Sequence, residues 1–147
     1  MLRAFLAFFI LIFCVSCVAS HVYDKEIIIN DAKFFVKLAI DELTRAKGYM
    51  GTKIIDENNG ILFIFKKERN LSFWMKDTPV PLEIAYIDSG GIIKEIYSLI
   101  PFEEKSVNSK YKVKYALEVP SGSFSKFKVK IGNRVKFNFD VDSLEVE

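Results

Sequence analysis

The sequence predicts a mainly β fold with a minor helical part, a compact antiparallel β sandwich or barrel carrying one or two short helices. Runs of branched and aromatic residues alternate with period two, as where Phe34, Val36 and Leu38 interleave with Phe35 and Lys37. Turn-forming pairs such as Asn30-Asp31, Asn59-Gly60 and Gly90-Gly91 separate those runs. A parallel sheet would need a long crossover helix between successive strands, and the intervening segments are mostly too short for one. Composition agrees with a single packed core: 147 residues, half of them hydrophobic and 27% charged, with 14 phenylalanines.

The chain opens with Met1-Leu2-Arg3 and an apolar run from Ala4 that ends in small residues. This is the layout of a secretory signal, and the run falls short of the ~20 apolar residues that a bilayer span needs. Residues 1–20 are therefore expected to be a signal peptide and residues 21–147 one domain. Val15-Ser16-Cys17 resembles a bacterial lipoprotein signal in a relaxed form, with Cys14 where leucine is usual. On that reading Cys17 becomes the first mature residue and carries lipid. Cleavage after Ala19 or Ser20 is the alternative. The expected address is the extracytoplasmic side of a membrane, periplasmic or at the cell surface, held there by the lipid.

Along the remainder, Tyr23 to Asn30 reads as a first strand around Ile27-Ile28-Ile29, and Lys33 to Ile40 as a second. Asp41 is placed to cap a short helix through Leu43, Ala46 and Met50, limited by Gly48 and Gly51. Asp56 to Gly60 is a polar turn, Gly60 to Phe65 a strand buried on both faces, and Lys66 to Asn70 a charged loop. Asp88-Ser89-Gly90-Gly91 turns a hairpin into Ile92 to Leu99, and Pro101 to Lys110 is a polar connection. Val113 to Val119 is a further strand, Ser121-Gly122-Ser123 opens a turn or helix, Ile131-Gly132-Asn133 is a turn, and Arg134 to Val141 closes the fold as a strand.

The stretch Phe73 to Asp88 reads as two extended segments joined at a rigid corner. Phe73 and Met75 share one face of the first segment, and Trp74 and Lys76 the other. Pro79 and Pro81 fix the corner and cannot donate to a ladder, so it must lie at an edge or outside the sheet. Asp77 and Thr78 are placed to hydrogen-bond the bend, which puts Trp74, Lys76 and Asp77 near an exposed rim. In the second segment Leu82, Ile84 and Tyr86 share a face, and Glu83, Ala85 and Ile87 the opposite one. The same period sets Tyr115, Leu117 and Val119 against Ala116 and Glu118. Glu83 and Glu118 thus stand inside apolar strands, where a carboxylate needs a partner or a raised pKa. Lys76 and Arg45 are the available cations. Partly exposed, solvated glutamates are the plainer alternative.

Chemistry is narrowed by what is missing. No cysteine follows Cys17 and the one histidine, His21, lies beside the cleavage region. Disulfides, a thiol nucleophile, a histidine-based triad and a thiolate or imidazole metal site are therefore excluded for the domain. No metal and no cofactor is expected. Of 21 lysines and arginines only Arg3 lies in the leader, and all 19 acidic residues lie beyond it, so the remainder carries +1. Near-neutrality speaks against a nucleic-acid partner, and the run Lys126, Lys128, Lys130, Arg134, Lys136 is read as a solvated face.

Gly48-Tyr49-Met50, Gly60-Ile61-Leu62-Phe63-Ile64-Phe65, Phe73-Trp74-Met75-Lys76-Asp77-Thr78-Pro79-Val80-Pro81-Leu82-Glu83-Ile84-Ala85-Tyr86-Ile87-Asp88, Tyr115-Ala116-Leu117-Glu118-Val119-Pro120 and Ile131-Gly132-Asn133-Arg134-Val135 together resemble the DUF192 family, small domains often found behind export signals. The resemblance covers about residues 34–139. It implies a mainly antiparallel β fold with a short helix near Gly48, and no particular reaction. The family usually has an aromatic residue and then arginine after the Gly48-Tyr49-Met50 motif, where this chain has Gly51 and Thr52. If that arginine pairs with a carboxylate or an anion, the role is lost here or passes to Lys53. Asn133 stands in place of the usual aspartate.

Two functions of different class follow. The first is a non-enzymatic module in which Trp74, Lys76, Asp77, Thr78, Glu83 and Glu118 contribute to binding a small molecule, a glycan or an envelope protein. The second is a carboxylate-dependent hydrolase or lyase using Glu83, Glu118 or Asp77 as acid and base, which requires those carboxyl groups to converge in one concave site.

Overall fold

The computed structural model describes residues 23–147, so the leader, Cys17 and His21 lie outside the described residues. The strands are β1 (Lys25–Ile29), β2 (Ala32–Ala39), β3 (Asn59–Arg69), β4 (Ser72–Phe73), β5 (Leu82–Ile87), β6 (Ile93–Leu99), β7 (Val107–Asn108), β8 (Val113–Pro120) and β9 (Val135–Phe137). Two short helices, α1 (Glu42–Lys47) and α2 (Ser123–Lys126), complete the described elements. Seven strands form one sheet in the order β6-β5-β8-β3-β2-β1-β9, curled into a half-barrel, and β4 with β7 makes a separate two-stranded ribbon. The mainly β expectation holds, with the architecture sharpened from sandwich or barrel to one curled sheet.

Local chemistry explains the turns. Asn30 and Asp31 both take positive φ, 49° and 58°, and join β1 to β2 as a two-residue hairpin loop of the type whose twist matches the strands. Asp41 caps α1 by accepting from the Thr44 amide at 2.8 Å, while Thr44 Oγ1 accepts from the Asp41 amide. Gly48 ends the helix at φ 45°, ψ −125°, a backbone that only glycine adopts freely, so the helix stops at Lys47 and does not reach Met50. The Asn133 oxygen accepts from the Lys130 amide and from Asn30 Nδ2, both at 2.7 Å. Only an acceptor oxygen is used, which is why asparagine serves where aspartate is usual.

Three expectations are corrected. All main-sheet pairs are antiparallel except β2 with β3, which are parallel because α1 and the chain after it carry β2 back to the starting edge of the sheet. Lys66 to Arg69 are strand, not loop: side-chain charge does not stop a backbone ladder, and Arg69 still pairs with Val113. Conversely, only Ser72–Phe73 of the first tryptophan segment and Val135–Phe137 of the last strand pair regularly. Pro79 and Pro81 do lie outside every strand, as a residue without a donor should.

The sheet buries both faces. One face carries Ile27, Phe34, Leu62, Ala85, Leu117 and Val119 beneath α2 and the chain's last residues. The other carries Tyr49, Ile61, Phe63, Ile84, Tyr86 and Ala116 beneath the segment 71–80. β3 and β8 approach so closely that a Cβ on Gly60 would stand 2.7 Å from the Glu118 carbonyl oxygen, closer than real Cβ atoms come. Glycine here lets the strand that carries Glu118 sit against β3.

Candidate functional site

Of the strand carboxylates, Glu83, Glu95 and Glu118 are at least half-buried in the middle of their strands, and their surroundings separate them. Glu83 is half-buried and accepts from the Phe124 amide at the start of α2, so it caps that helix. Glu95 is buried and accepts from the Lys110 amide at 2.9 Å, the Tyr111 amide at 3.3 Å and the Tyr97 hydroxyl at 2.6 Å. Glu118 is only 4% exposed. It makes no side-chain hydrogen bond and no ion pair with any described residue. Buried polar groups normally find partners, and among the three Glu118 is the carboxyl that takes none from the described residues.

That carboxyl lines a cavity of about 230 Å³, room for several waters. Arg45, Gly48 and Tyr49 form one wall, Phe63 and Phe65 of β3 another, and Phe73, Trp74, Met75 and Thr78 the third. Phe63 packs edge-on against Phe73 at 4.8 Å between ring centres. The third wall is held by the Thr78 amide donating to the Met75 carbonyl at 3.1 Å, with Asp77 in the left-handed region at φ 53°. It is stitched to the next loop by Met75 N to Glu103 O at 2.8 Å and Phe102 N to Thr78 O at 3.1 Å. Trp74 is 47% exposed at the mouth, with the Lys76 ammonium 5.4 Å from its ring centre.

Electrostatics follow from register. Lys37 pairs with Ile61, Ile61 with Glu118, and Glu118 with Ile84, so the two side chains share a face from backbone positions two strand spacings, roughly 10 Å, apart. The attraction of Lys37 does not offset burial, which pushes Glu118 up to about 8. Burial, and then the like charge of Lys47, holds Lys37 below its ordinary value, while Glu118 acts in the opposite sense. Its ammonium instead donates to the Gly48 carbonyl at 3.4 Å and lies 4.7 Å from the Tyr49 ring centre. Burial first, then Tyr23 and Glu118, raises the Tyr49 hydroxyl well above the ordinary phenol value. That hydroxyl has no partner at hydrogen-bond geometry among the described residues.

Of the residues singled out from the sequence, Trp74, Thr78 and Glu118 line this cavity. Lys76 and Asp77 are exposed at the rim outside it. Glu83 does not belong: it pairs with Val119 on the α2 face, whereas Glu118 pairs with Ile84 on the other, so the two carboxyl groups lie on opposite sides of the sheet. The strand period places them so, and an acid–base pair of Glu83 with Glu118 is not assembled. Neither cation suggested for Glu118 serves it. Arg45 donates to the carbonyls of Ile40 (2.7 Å), Ile64 (3.3 Å) and Glu147 (2.9 Å), and Lys76 lies over Trp74. Lys53 lines a separate depression with Pro81 and Pro120 and does not take over an arginine's place beside Glu118.

Sequence reading missed Tyr49, Lys37 and Glu95. The alternation that put Lys37 with Phe35 already placed it on the Glu118 face, once the parallel β2–β3 register is known. Among the described residues no group of three or more His, Cys, Asp or Glu is placed to hold a metal ion, and no helix is long and apolar enough to cross a membrane.

The family model DUF192, described as an uncharacterized ACR, matches residues 25–137. A crystal structure of a Sinorhizobium meliloti 1021 protein, described as a candidate transcription regulator, is similar at 30% identity with a TM-score of 0.74, covering 80% of this chain and 96% of that one. A protein of unknown function from Novosphingobium aromaticivorans DSM 12444 shares the fold at 20% identity, with a TM-score of 0.70 over 76% of this chain and 83% of that one. No curated protein matches. With the tryptophan-centred segment, the Gly48 turn and the Glu118 strand all falling inside the matched span, the chain belongs to the DUF192 family.

Proposed function

We propose that the protein is an exported, lipid-anchored module of the cell envelope that binds a small molecule, without catalysis, in the cavity between Trp74 and Glu118. The carrying observation is a buried carboxyl that takes no hydrogen bond from the described residues and lines a cavity walled by aromatic side chains. A pocket of about 230 Å³ suits a small ligand or a single sugar ring better than a protein surface. A thermal-shift screen of small polar and aromatic compounds tests this with wild type and Trp74→Ala. Compounds that raise the wild-type melting temperature are expected to lose most of that effect in a folded Trp74→Ala protein. An equal response in both would sink the assignment.

The address rests on the leader, with its apolar run ending in Val15-Ser16-Cys17. The wild-type protein is expected in the membrane fraction, released only by detergent, and Cys17→Ala in the soluble extracytoplasmic fraction. Membrane retention of Cys17→Ala would count against the lipid anchor.

A further inference from the structure

We infer that the ligand of the Trp74–Glu118 cavity is a compact organic amine, bound as its ammonium ion with the Glu118 carboxylate as counter-ion. This deepens the binding role proposed above and rests on it. Two other strand carboxylates, Glu83 and Glu95, take their donors from the chain's own amides and a tyrosine. Glu118 takes none, although it is 4% exposed in the interior of the sheet. What it lacks is a cation with N–H donors, and an ammonium supplies both in one group.

The chain's own cations are committed elsewhere. Arg45 is held by three carbonyls, Lys37 donates to the carbonyl of Gly48 beside Glu118 without reaching the carboxyl at ion-pair distance, Lys47 is exposed, and Lys76 covers Trp74. The walls favour the same charge. Arg45, Lys37 and Lys76 already lie over Phe65, Tyr49 and Trp74, and Phe63 and Phe73 offer further rings to a cation entering the cavity. A carboxylate ligand would set a second acid against Glu118, and a hydroxyl ligand would bring no charge to it.

Binding is coupled to a proton. At neutral pH the carboxyl is largely protonated, so the ammonium displaces the Glu118 proton to solvent and the ion pair forms in its place. The groups that face Glu118 are Lys37 from β2, Arg45 and Lys47 from α1, Tyr49 after it, and Tyr86 from β5. Both tyrosines are pushed up and stay neutral below pH 8, and Lys37 sheds repulsive charge only as pH rises. Amine affinity therefore rises about tenfold per pH unit towards pH 8 and then levels off.

Calorimetric titration of the full chain with benzylamine, benzyl alcohol and benzoate at pH 6, 7 and 8 tests this. Benzylamine is expected to bind with that pH profile and to release a proton, read from the dependence of the heat on buffer. Glu118→Gln is expected to lose at least tenfold in benzylamine affinity together with the pH dependence. Trp74-dependent binding of the alcohol or of benzoate as tightly as the amine, or pH-independent amine binding, overturns the amine assignment and leaves the binding role standing. Binding of none of the three overturns the amine assignment, and the absence of any stabilising compound in the Trp74 screen separately overturns the binding role.

Discussion

Raising the pH from 5 to 8 is expected to destabilise the native domain progressively, and Glu118→Gln to remove most of that loss. The carboxyl's folded pKa, about 8, lies above its unfolded value of about 4.5. Between those values the native state keeps a proton that the unfolded chain has released, so stability falls with rising pH, by at most about 1.4 kcal/mol per unit. From pH 5 to 8 the ceiling is roughly 4 kcal/mol, and water entering the cavity will lower it. Lys37, depressed from 10.5, acts in the opposite sense on the alkaline side only. Asp41 and Glu68 are held below the ordinary carboxylate value chiefly by the amides of Thr44 and Ser89, and lose their contribution as pH falls through the acid range. The stability maximum should therefore sit near pH 5. Denaturant titrations of wild type and Glu118→Gln at four pH values check the slope. A wild-type protein as stable at pH 8 as at pH 5, or an equally steep glutamine variant, would show that Glu118 is not buried in the acid form.

Glu95→Ala is expected to cost about 3 kcal/mol of unfolding free energy, with Glu95→Gln intermediate. The carboxylate receives two backbone amides and a phenol in a buried setting, and removing it leaves those donors unpaired, each such loss being worth about 1–3 kcal/mol. The consequence is local as well as global. Lys110 and Tyr111 lie next to Ser109, whose hydroxyl accepts from the Leu71 amide at 2.9 Å and so fixes the start of the tryptophan segment. Faster amide exchange at Lys110 and Tyr111, together with a Tyr97 phenol returning towards its ordinary pKa, distinguishes this clamp from a general packing defect. Unchanged stability and exchange in the alanine variant would refute the role.

Much of this was legible in the chain because the two determinants that act locally are strong. Period two assigned the faces of β5 and β8 correctly, since alternation is a property of a strand wherever its partners lie, but left open whether Glu118 is buried or partly exposed. Capping at Asp41 and the turn at Asn30-Asp31 are likewise written in the residues that make them. The parallel pairing of β2 with β3 was not legible, because pairing partners are chosen over long range by packing. The same limit hid Glu95, whose donors come from 15 and 16 residues away, and joined Glu83 to Glu118 in one hypothesis although their side chains never meet. Two glutamates equally anomalous in sequence become a helix cap and a cavity floor.

One consequence of the sheet order concerns the time at which the fold can form. β1, the first strand, has the last, β9, as its outer neighbour, and Arg45 of the first helix reaches the Glu147 carbonyl. The amides that close this edge are over 100 residues from their acceptors, as with Asn138 N to Glu26 O. Such distant pairings are slow to nucleate, and they cannot exist while the end of the chain is still withheld. The outer edge of β1 therefore stays unpaired until the segment carrying β9 reaches it, so the edge of this sheet is sealed later than its centre.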